Sequence, residues 1–168
     1  MPFYDIVRFQ IQADNSIVLM LGFKDMLYMS PDGSISKGKN KKKIIGNEAG
    51  EGKMIKELSS GDTLCLLANT PEISDNVLAH LASEEKPLAL SASRITNYAT
   101  SRDLTKQLIR YSALVKRAKK AKVKLAIASF AKGKEELMSL MQLRVLAEYL
   151  GFTKEEAKEA VAIWGEIL

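Results

Sequence analysis

A short apolar run, Leu125 to Ala128, is the sequence feature that most constrains the fold. It stands between a long helical pattern and a Gly/Lys turn, and such a run predicts a strand that is buried on both faces. Helices are predicted on either side, because residues 101–121 and 137–150 repeat apolar side chains three and four positions apart. A helix, a buried strand and a second helix form the repeating unit of a parallel α/β sheet or barrel. We therefore predict an α/β fold.

The other elements are predicted from turn and capping residues. Strands are predicted at 3–11, 23–29, 63–68 and 88–90, and further helices at 53–58, 74–83 and from Thr153 onward. Residues 16–22 fit either a short helix or a strand, and residues 34–43 and 94–98 are predicted to be loops. Thr100 with Asp103 has capping-box spacing, as does Thr153 with Glu156.

Length and composition indicate one domain over residues 1–168. The composition, with 46% hydrophobic and 27% charged residues, is that of an ordinary globular domain. A chain of this size buries roughly 70% of the surface that its unfolded form exposes, so it needs no disulfides. The single cysteine, Cys65, lies in an apolar run and is predicted to be a buried, inert thiol. No signal peptide or membrane-spanning run is evident. We expect a soluble, cytoplasmic protein with no membrane partner.

The net charge of +5 is concentrated in two clusters. The first comprises Lys37, Lys39, Lys41, Lys42 and Lys43; the second comprises Lys116, Arg117, Lys119, Lys120, Lys122 and Lys124. Clustered Lys and Arg residues indicate contact with a phosphate backbone. The second cluster equally fits a solvated helix end that complements the helix dipole. The first lies in a predicted loop and is our candidate for RNA binding.

The sequence offers no catalytic motif. His80 is the sole histidine, which excludes a histidine cluster for zinc and is typical of a surface residue. The glycines lack Walker spacing, and the stretch from Gly46 to Gly52 lacks the strand and helix that a dinucleotide fingerprint requires. We predict neither catalytic nor metal-binding residues, and no self-sufficient hydrolase.

Six short segments carry a resemblance to a known family. In chain order they are Asp75 to Leu81, Leu88 to Arg94, Lys122 to Lys132, Leu146 to Gly151, Glu155 to Ala160 and Glu166 to Leu168. The first resembles a family helix of the form Ile-Asp-His-Val-Leu-Ala-Arg-Leu, the second a strand with a terminal arginine, and the third a strand followed by Ser-Gly-Ala. Together, residues 62–168 resemble the C-terminal half of the archaeal ribonuclease P protein component three family, relatives of the thirty-kilodalton eukaryotic subunit.

The resemblance implies a TIM-barrel-like fold related to metal-dependent phosphoesterases. It also implies a non-catalytic subunit of an endoribonuclease: ribonuclease P RNA removes the 5′ leader of precursor tRNA with magnesium that the RNA requires, and the protein binds no cofactor. The expected partners are that RNA, precursor tRNA, the ferredoxin-like component two and the other protein subunits. Tyr4 and Asp5 resemble the start of the family's first strand, where phosphoesterases place an Asp/His metal motif. Ile6, Val7 and Arg8 follow here without a histidine, so the metal site is expected to be lost.

The sequence departs from the family in three places. Residues 1–61 are too few for the missing part of a barrel, which usually takes at least ~200 residues in all, so we expect a barrel shortened or incomplete in its N-terminal half. Met138 to Gln142 stands where the family has Arg-x-Pro-Arg-Asp, and Phe130 stands where it has a small residue.

Site residues are predicted from the ends of strands, where barrels bind ligands. Arg94 and Lys132 follow predicted strands and Arg102 begins the helix beside them, so we assign all three to contact with RNA phosphates or a partner. Only Arg94 also rests on the family resemblance, and Arg102 and Lys132 equally fit a solvated surface. Arg110 is expected to pair with Asp103 or Glu136.

Two alternative functions are considered. A standalone metal phosphoesterase would need several histidines and acidic ligands at strand ends, and one histidine argues against it. A basic RNA-binding or protein-interaction module acting outside ribonuclease P on the same fold remains open.

Overall fold

The computed structural model describes residues 3–8, 15–37, 40–98 and 100–167. In these residues seven strands and eight α-helices form a mixed α/β structure. The elements are β1 Tyr4–Val7, α1 Asn15–Met20, β2 Asp25–Tyr28, β3 Ser34–Lys37, β4 Asn40–Gly46, α2 Glu51–Leu58, β5 Thr63–Ala68, α3 Asp75–Ser83, β6 Leu88–Ser91, α4 Ala92–Thr96, α5 Ser101–Lys120, β7 Leu125–Ala128, a 3₁₀ turn Lys134–Glu136, α6 Leu140–Tyr149, α7 Lys154–Ala162 and α8 Trp164–Ile167. None of the described helices combines the length and apolarity that a membrane span requires.

The strands form a two-stranded sheet, β1–β2, and a five-stranded sheet of order β3-β4-β5-β6-β7. Pairing is parallel throughout except between β3 and β4. In the register of the parallel strands, Ala89 of β6 lies opposite Leu67 of β5 and Ala126 of β7.

Backbone pairing joins the two sheets at both sides of β1–β2. Val7 forms a parallel bridge with Ala131, three residues beyond β7, and Met29 forms an antiparallel bridge with Ile35 of β3. The Phe130 N–H also donates to the Ile6 carbonyl at 2.7 Å. The segments that follow β2 and β7 therefore connect β1–β2 to both edges of the larger sheet.

Each strand contributes to an inner core on the face away from most helices. Its members are Tyr4, Ile6, Leu27, Met29, Ile35, Ile44, Cys65, Leu67, Ala89, Ala126, Ala128, Phe130, Ile163 and Trp164. The alanines of β6 and β7 leave room for Phe130 and Trp164, which meet edge to face with ring centroids 5.8 Å apart. The Trp164 indole N–H donates to the Ile127 carbonyl at 2.8 Å, which satisfies its buried polar group. The opposite strand faces and the helices form a larger outer core.

Most predicted elements are confirmed, including β5, β7 and α5. Thr100 and Thr153 cap α5 and α7 through the backbone N–H groups of Asp103 and Glu156. Residues 16–22 begin with a helix, α1, rather than a strand. Residues 9–11 of the first predicted strand lie outside the described residues. The predicted barrel and its single-domain extent stay predictions.

Two predicted loops are wrong. Residues 34–43 fall largely in β3 and β4, because Ile35 and Ile44 are buried in the inner core and tertiary burial overrides the low strand preference of lysine. Residues 94–96 continue the short helix α4, in which Ile95 is fully buried. The helix predicted from 137 begins instead at Leu140, because Ser139 forms a capping box with Gln142.

Candidate nucleic-acid interface

The carboxyl ends of the parallel strands gather polar residues at one edge of the sheets, which we call the strand-end edge. Arg8 follows β1, Asn47 follows β4, Asn69 follows β5, and Ser129 follows β7. Parallel pairing brings these ends together because successive parallel strands point the same way. This edge is also where α/β folds bind ligands.

Arg8 is a partly buried cation at this edge. Its backbone N–H donates to the Ala131 carbonyl at 2.7 Å, and its side-chain Nε is buried without a hydrogen-bond partner among the described residues. Burial lowers the pKa of Arg8 below its ordinary value, and the charge of Arg94 lowers it further, while Glu48 and Glu136 partly offset both effects. A partly desolvated cation beside a second cation favours the binding of an anion.

Asn47 fixes the loop that follows β5. It is buried, and its Nδ2 donates to the Thr70 carbonyl at 2.9 Å and to the Glu72 carbonyl at 3.3 Å. Its Oδ1 accepts from the backbone N–H groups of Asn69 at 2.9 Å and Thr70 at 3.2 Å. These bonds satisfy Asn47 almost completely and hold Asn69 in place.

Asn69 donates from Nδ2 to Glu48 Oε2 at 2.8 Å, while its Oδ1 is buried without a partner among the described residues. A Cβ atom on Gly46 would lie 2.6 Å from Asn69 Nδ2 and 2.2 Å from Glu48 Oε2. Glycine at position 46 therefore makes room for the Asn69–Glu48 pair.

Asp5 of β1 is a fully buried carboxyl group. Its Oδ1 accepts from the Ser129 N–H at 2.7 Å and from the Ile6 N–H at 2.9 Å, whereas its Oδ2 has no partner among the described residues. Burial raises the pKa of Asp5 to about 6, against the opposing effect of hydrogen bonds from Ser129 and Ile6. Asp5 thus ties β1 to the residue after β7, and charging it costs free energy.

A cavity of about 590 Å³ opens at the strand-end edge. Its charged lining residues are Arg8, Lys43, Lys53, Lys132, Asp32, Glu48 and Glu57, and its apolar lining includes Met29, Ile44, Ile45 and Leu67. The Nζ atoms of Lys43 and Lys53 lie 3.0 and 3.9 Å from the Glu57 carboxylate. In the described residues, Arg8 and Lys132 form no ion pair, so they are the lining cations available to an anion.

Two of the three predicted strand-end cations lie at or beside this cavity. Lys132 lines it and is exposed, with its backbone N–H donating to Glu136 at 2.8 Å. Arg94 is exposed on α4 and is close enough to lower the pKa of Arg8. Arg102 is exposed in the first turn of α5 and is not part of the cavity lining. That these residues bind RNA stays a prediction.

The first lysine cluster does not occupy a loop, contrary to the prediction. Lys37 ends β3, and Lys41, Lys42 and Lys43 belong to β4. Lys39 lies outside the described residues, as do the side chains of Lys37 and Lys41.

Two members of this cluster have structural contacts. Lys42 Nζ donates to the Gly61 carbonyl at 3.0 Å, and Lys43 Nζ donates to Glu57 at 3.0 Å. These contacts tie β4 to the loop before β5 and to α2, so the charges of Lys42 and Lys43 already serve the fold.

The second cluster is partly structural as well. Arg117 donates to Asp75 Oδ1 at 2.7 Å and to the Ile73 carbonyl at 2.6 Å. Lys119 donates to Glu156 Oε2 at 2.5 Å and to the Gly151 carbonyl at 2.9 Å. Both side chains fasten α5 to neighbouring elements.

Three other predicted residues have definite places. Cys65 is fully buried, and burial raises the pKa of its thiol, which confirms a buried thiol. His80 lies on α3, with Nε2 3.1 Å from Ser59 Oγ. Arg110 pairs with Glu72 rather than with Asp103 or Glu136, because α5 lies against the loop after β5. Among the described residues, no group of three or more His, Cys, Asp or Glu side chains is placed to hold a metal ion.

Sequence analysis missed Arg8, Asn47 and Asn69 as site residues. Each follows a strand within one residue, so a polar side chain directly after a buried strand was the available signal. Charge clustering pointed elsewhere, because isolated polar residues at separate strand ends meet only in the folded chain.

Comparison with solved structures finds a similar fold in a chain of archaeal ribonuclease P. One chain of a cryo-EM structure of archaeal ribonuclease P with mature tRNA superposes with a TM-score of 0.69. The similarity covers 98% of this chain and 89% of that one, at 17% sequence identity. The shared feature is the fold. No protein-family model matches the sequence, and no curated protein matches it.

Proposed function

We propose that this chain is a protein subunit of ribonuclease P that assists the catalytic RNA in removing the 5′ leader of precursor tRNA. The observation that carries the proposal is the fold similarity over 98% of the chain to a chain of archaeal ribonuclease P with mature tRNA. The segments of residues 62–168 that resemble the component three family point to the same assembly.

In this proposal the protein supplies positive charge rather than chemistry. Arg8, Arg94 and Lys132 stand at or beside the strand-end cavity without an ion pair among the described residues. They would neutralise RNA phosphates, with Arg102 extending the contact along α5. Cleavage would use magnesium that the RNA holds. Component two and the other protein subunits are the proposed protein partners.

We also propose that the seven strands form a shortened barrel. The bridges Val7–Ala131 and Met29–Ile35 link β1–β2 to both edges of the larger sheet, and all strands contribute to one inner core. The seven described strands are one fewer than the eight of a TIM barrel, and the smaller number suits a chain of 168 residues.

The test is single-turnover cleavage of precursor tRNA by ribonuclease P RNA with component two, at low magnesium, with and without this protein. We expect acceleration by the protein. Arg94→Gln should reduce the acceleration about three- to tenfold, because it removes a phosphate contact.

Arg110→Gln is the matched control, since Arg110 is an exposed arginine that pairs with Glu72 away from the cavity. It should leave the acceleration unchanged. A folded protein that gives no acceleration would overturn the ribonuclease P assignment. Retained RNA binding in that case would favour an RNA-binding module that acts outside ribonuclease P.

A further inference from the structure

Two residues that line the strand-end cavity each carry a buried polar atom whose hydrogen-bonding capacity is unused. Arg8 Nε is a donor and Asn69 Oδ1 is an acceptor, and both are buried without partners among the described residues. Both residues line the same cavity. An unsatisfied buried polar group costs about 1–3 kcal/mol, so a ligand that reaches both atoms through a small movement of the two side chains would bind favourably.

The orientation of the Asn69 amide follows from its neighbour. An ionised carboxylate accepts hydrogen bonds and donates none, so the amide nitrogen must face Glu48, to which it donates at 2.8 Å. Asn69 Oδ1 is thereby left as a hydrogen-bond acceptor. It would select a ligand with an N–H or O–H donor.

The four cations and three carboxylates of the lining leave one positive charge in excess, enough for one anionic group. Glu57 is engaged by Lys43 and Lys53, whereas Glu48 and Asp32 accept hydrogen bonds from the neutral groups of Asn69 and Ser34 and keep their negative charge. Arg8 and Lys132 remain without ion pairs among the described residues, and Arg94 adds its charge beside Arg8. A phosphate would relieve the repulsion between the two arginines.

Size and polarity fit the same ligand. The cavity volume of about 590 Å³ lies within the range of about 300–1,000 Å³ typical of small-molecule sites. Apolar side chains such as Met29, Ile45 and Leu67 share the lining with the polar groups. A flat base can lie against the apolar part while its phosphate meets the cations.

We propose that the strand-end cavity binds a single unpaired nucleotide of RNA, with its phosphate on Arg8 and Lys132 and an amino group of its base donating to Asn69. Splayed-out bases are the usual targets of specific RNA recognition. The inference rests on the proposed RNA role and goes beyond it by naming the pocket, the ligand class and a preference for bases with an exocyclic amine.

The test is a calorimetric or NMR titration of the isolated full chain with CMP, UMP, cytidine and inorganic phosphate at low salt. CMP and UMP differ at two neighbouring positions of the base edge: cytosine has an exocyclic amine and an N3 acceptor where uracil has a carbonyl and an N3–H donor. With the phosphate held on Arg8 and Lys132, the uracil carbonyl would stand where the cytosine amine meets Asn69. We expect CMP to bind about tenfold more tightly than UMP. UMP in the same position would lack the hydrogen bond to Asn69 Oδ1 and would leave that oxygen unpaired. Cytidine and inorganic phosphate should each bind more weakly than CMP.

Variants locate the site. Arg8→Gln should weaken CMP binding by about tenfold or more through loss of a charged hydrogen bond. Asn69→Ala should abolish the preference for CMP over UMP but should leave the contribution of the phosphate group to the affinity. Arg110→Gln, outside the cavity, should change neither affinity, and thermal melting should verify that all three variants are folded.

Other outcomes overturn the inference. Equal binding of inorganic phosphate and CMP would indicate a simple anion site. Absence of binding, or binding insensitive to Arg8→Gln in a folded variant, would remove the cavity from nucleotide recognition. Because this titration contains no ribonuclease P RNA, it can fail while the cleavage assay succeeds, and the reverse also holds.

Discussion

The strand-end edge and the C-terminal half of α5 use charge in opposite ways. At the strand-end edge, burial is the main cause that raises the pKa of Asp5 and lowers the pKa of Arg8, so both shifts favour the neutral form. Each residue also keeps a buried polar atom without a partner among the described residues. On α5, Arg117 and Lys119 reach carboxylates and backbone carbonyls at 2.5–3.1 Å.

The difference distinguishes charge that stabilises the fold from charge that the fold tolerates. Paired surface cations contribute modestly to folding, whereas desolvated and unsatisfied groups cost free energy. Groups of the second kind concentrate at functional sites. Arg117 and Lys119 of the second cluster are thus structural, and the scattered strand-end residues form the candidate site.

The largest expected effect concerns Asp5. Its folded pKa of about 6 lies above the ordinary value of 3.8, so the folded state holds the proton more tightly than the unfolded state. Its stabilising contribution is present below about pH 4 and is lost as the pH rises through 6, a change of roughly 3 kcal/mol. Denaturant unfolding of the wild type and Asp5→Asn from pH 4 to 7 should show the wild type losing stability relative to the variant. A constant difference between them across this range would contradict a costly charge at Asp5.

The next effect concerns RNA affinity. A triple variant, Arg8→Gln with Arg94→Gln and Lys132→Gln, should weaken binding of single-stranded RNA by on the order of 100-fold at low salt and reduce the slope of log affinity against log salt by about 2. Fluorescence anisotropy over a salt series measures both. Lys116→Gln with Lys120→Gln and Lys124→Gln is the charge-matched comparison. Equal losses in the two variants would mean that net charge, rather than the strand-end edge, governs binding.

Substitution of Lys119 is expected to have a smaller effect, a decrease in the free energy of unfolding. Lys119→Met removes the hydrogen bonds to Glu156 and Gly151 and the contact of Nζ with the Phe152 ring, 5.3 Å from its centroid. We expect a loss of about 1 kcal/mol at pH 7, since the groups are partly exposed.

This loss should depend on pH. The hydrogen bond from Lys119 lowers the pKa of Glu156 below 4.5, so the contribution is present above that pH and fades as the pH falls through the lowered value. Urea unfolding at pH 7 and pH 3 should therefore show a smaller difference between the wild type and Lys119→Met at pH 3. A difference that grew on acidification would contradict the role of this ion pair.

The smallest effect has the opposite sign. Arg94→Gln should raise stability by a few tenths of a kcal/mol, because it relieves the repulsion that lowers the pKa of Arg8 and the group is exposed. Thermal unfolding at low salt measures the gain, and added salt should reduce it. Lost stability would indicate that Arg94 supports the fold.

The sequence alone predicted the parts of this protein that depend on local pattern. The apolar run at β7, the spacing of α5 and the capping residues Thr100 and Thr153 each specify their element through neighbours a few positions away. They sufficed for the α/β class and for most strands and helices of residues 62–168, but not for α4, which lies where a loop is predicted. They did not reveal that Lys41 to Lys43 lie in a strand, because that strand forms through burial of Ile35 and Ile44.

Only the tertiary structure decided which polar residues meet. Arg8 and Asn69 are 61 positions apart, and they share a cavity because parallel pairing places the ends of their strands at one edge. Burial then sets their chemistry, since desolvation and unpaired atoms depend on what packs around a group rather than on its neighbours in sequence. The elements were therefore determined locally, and the site by the way the strands pair.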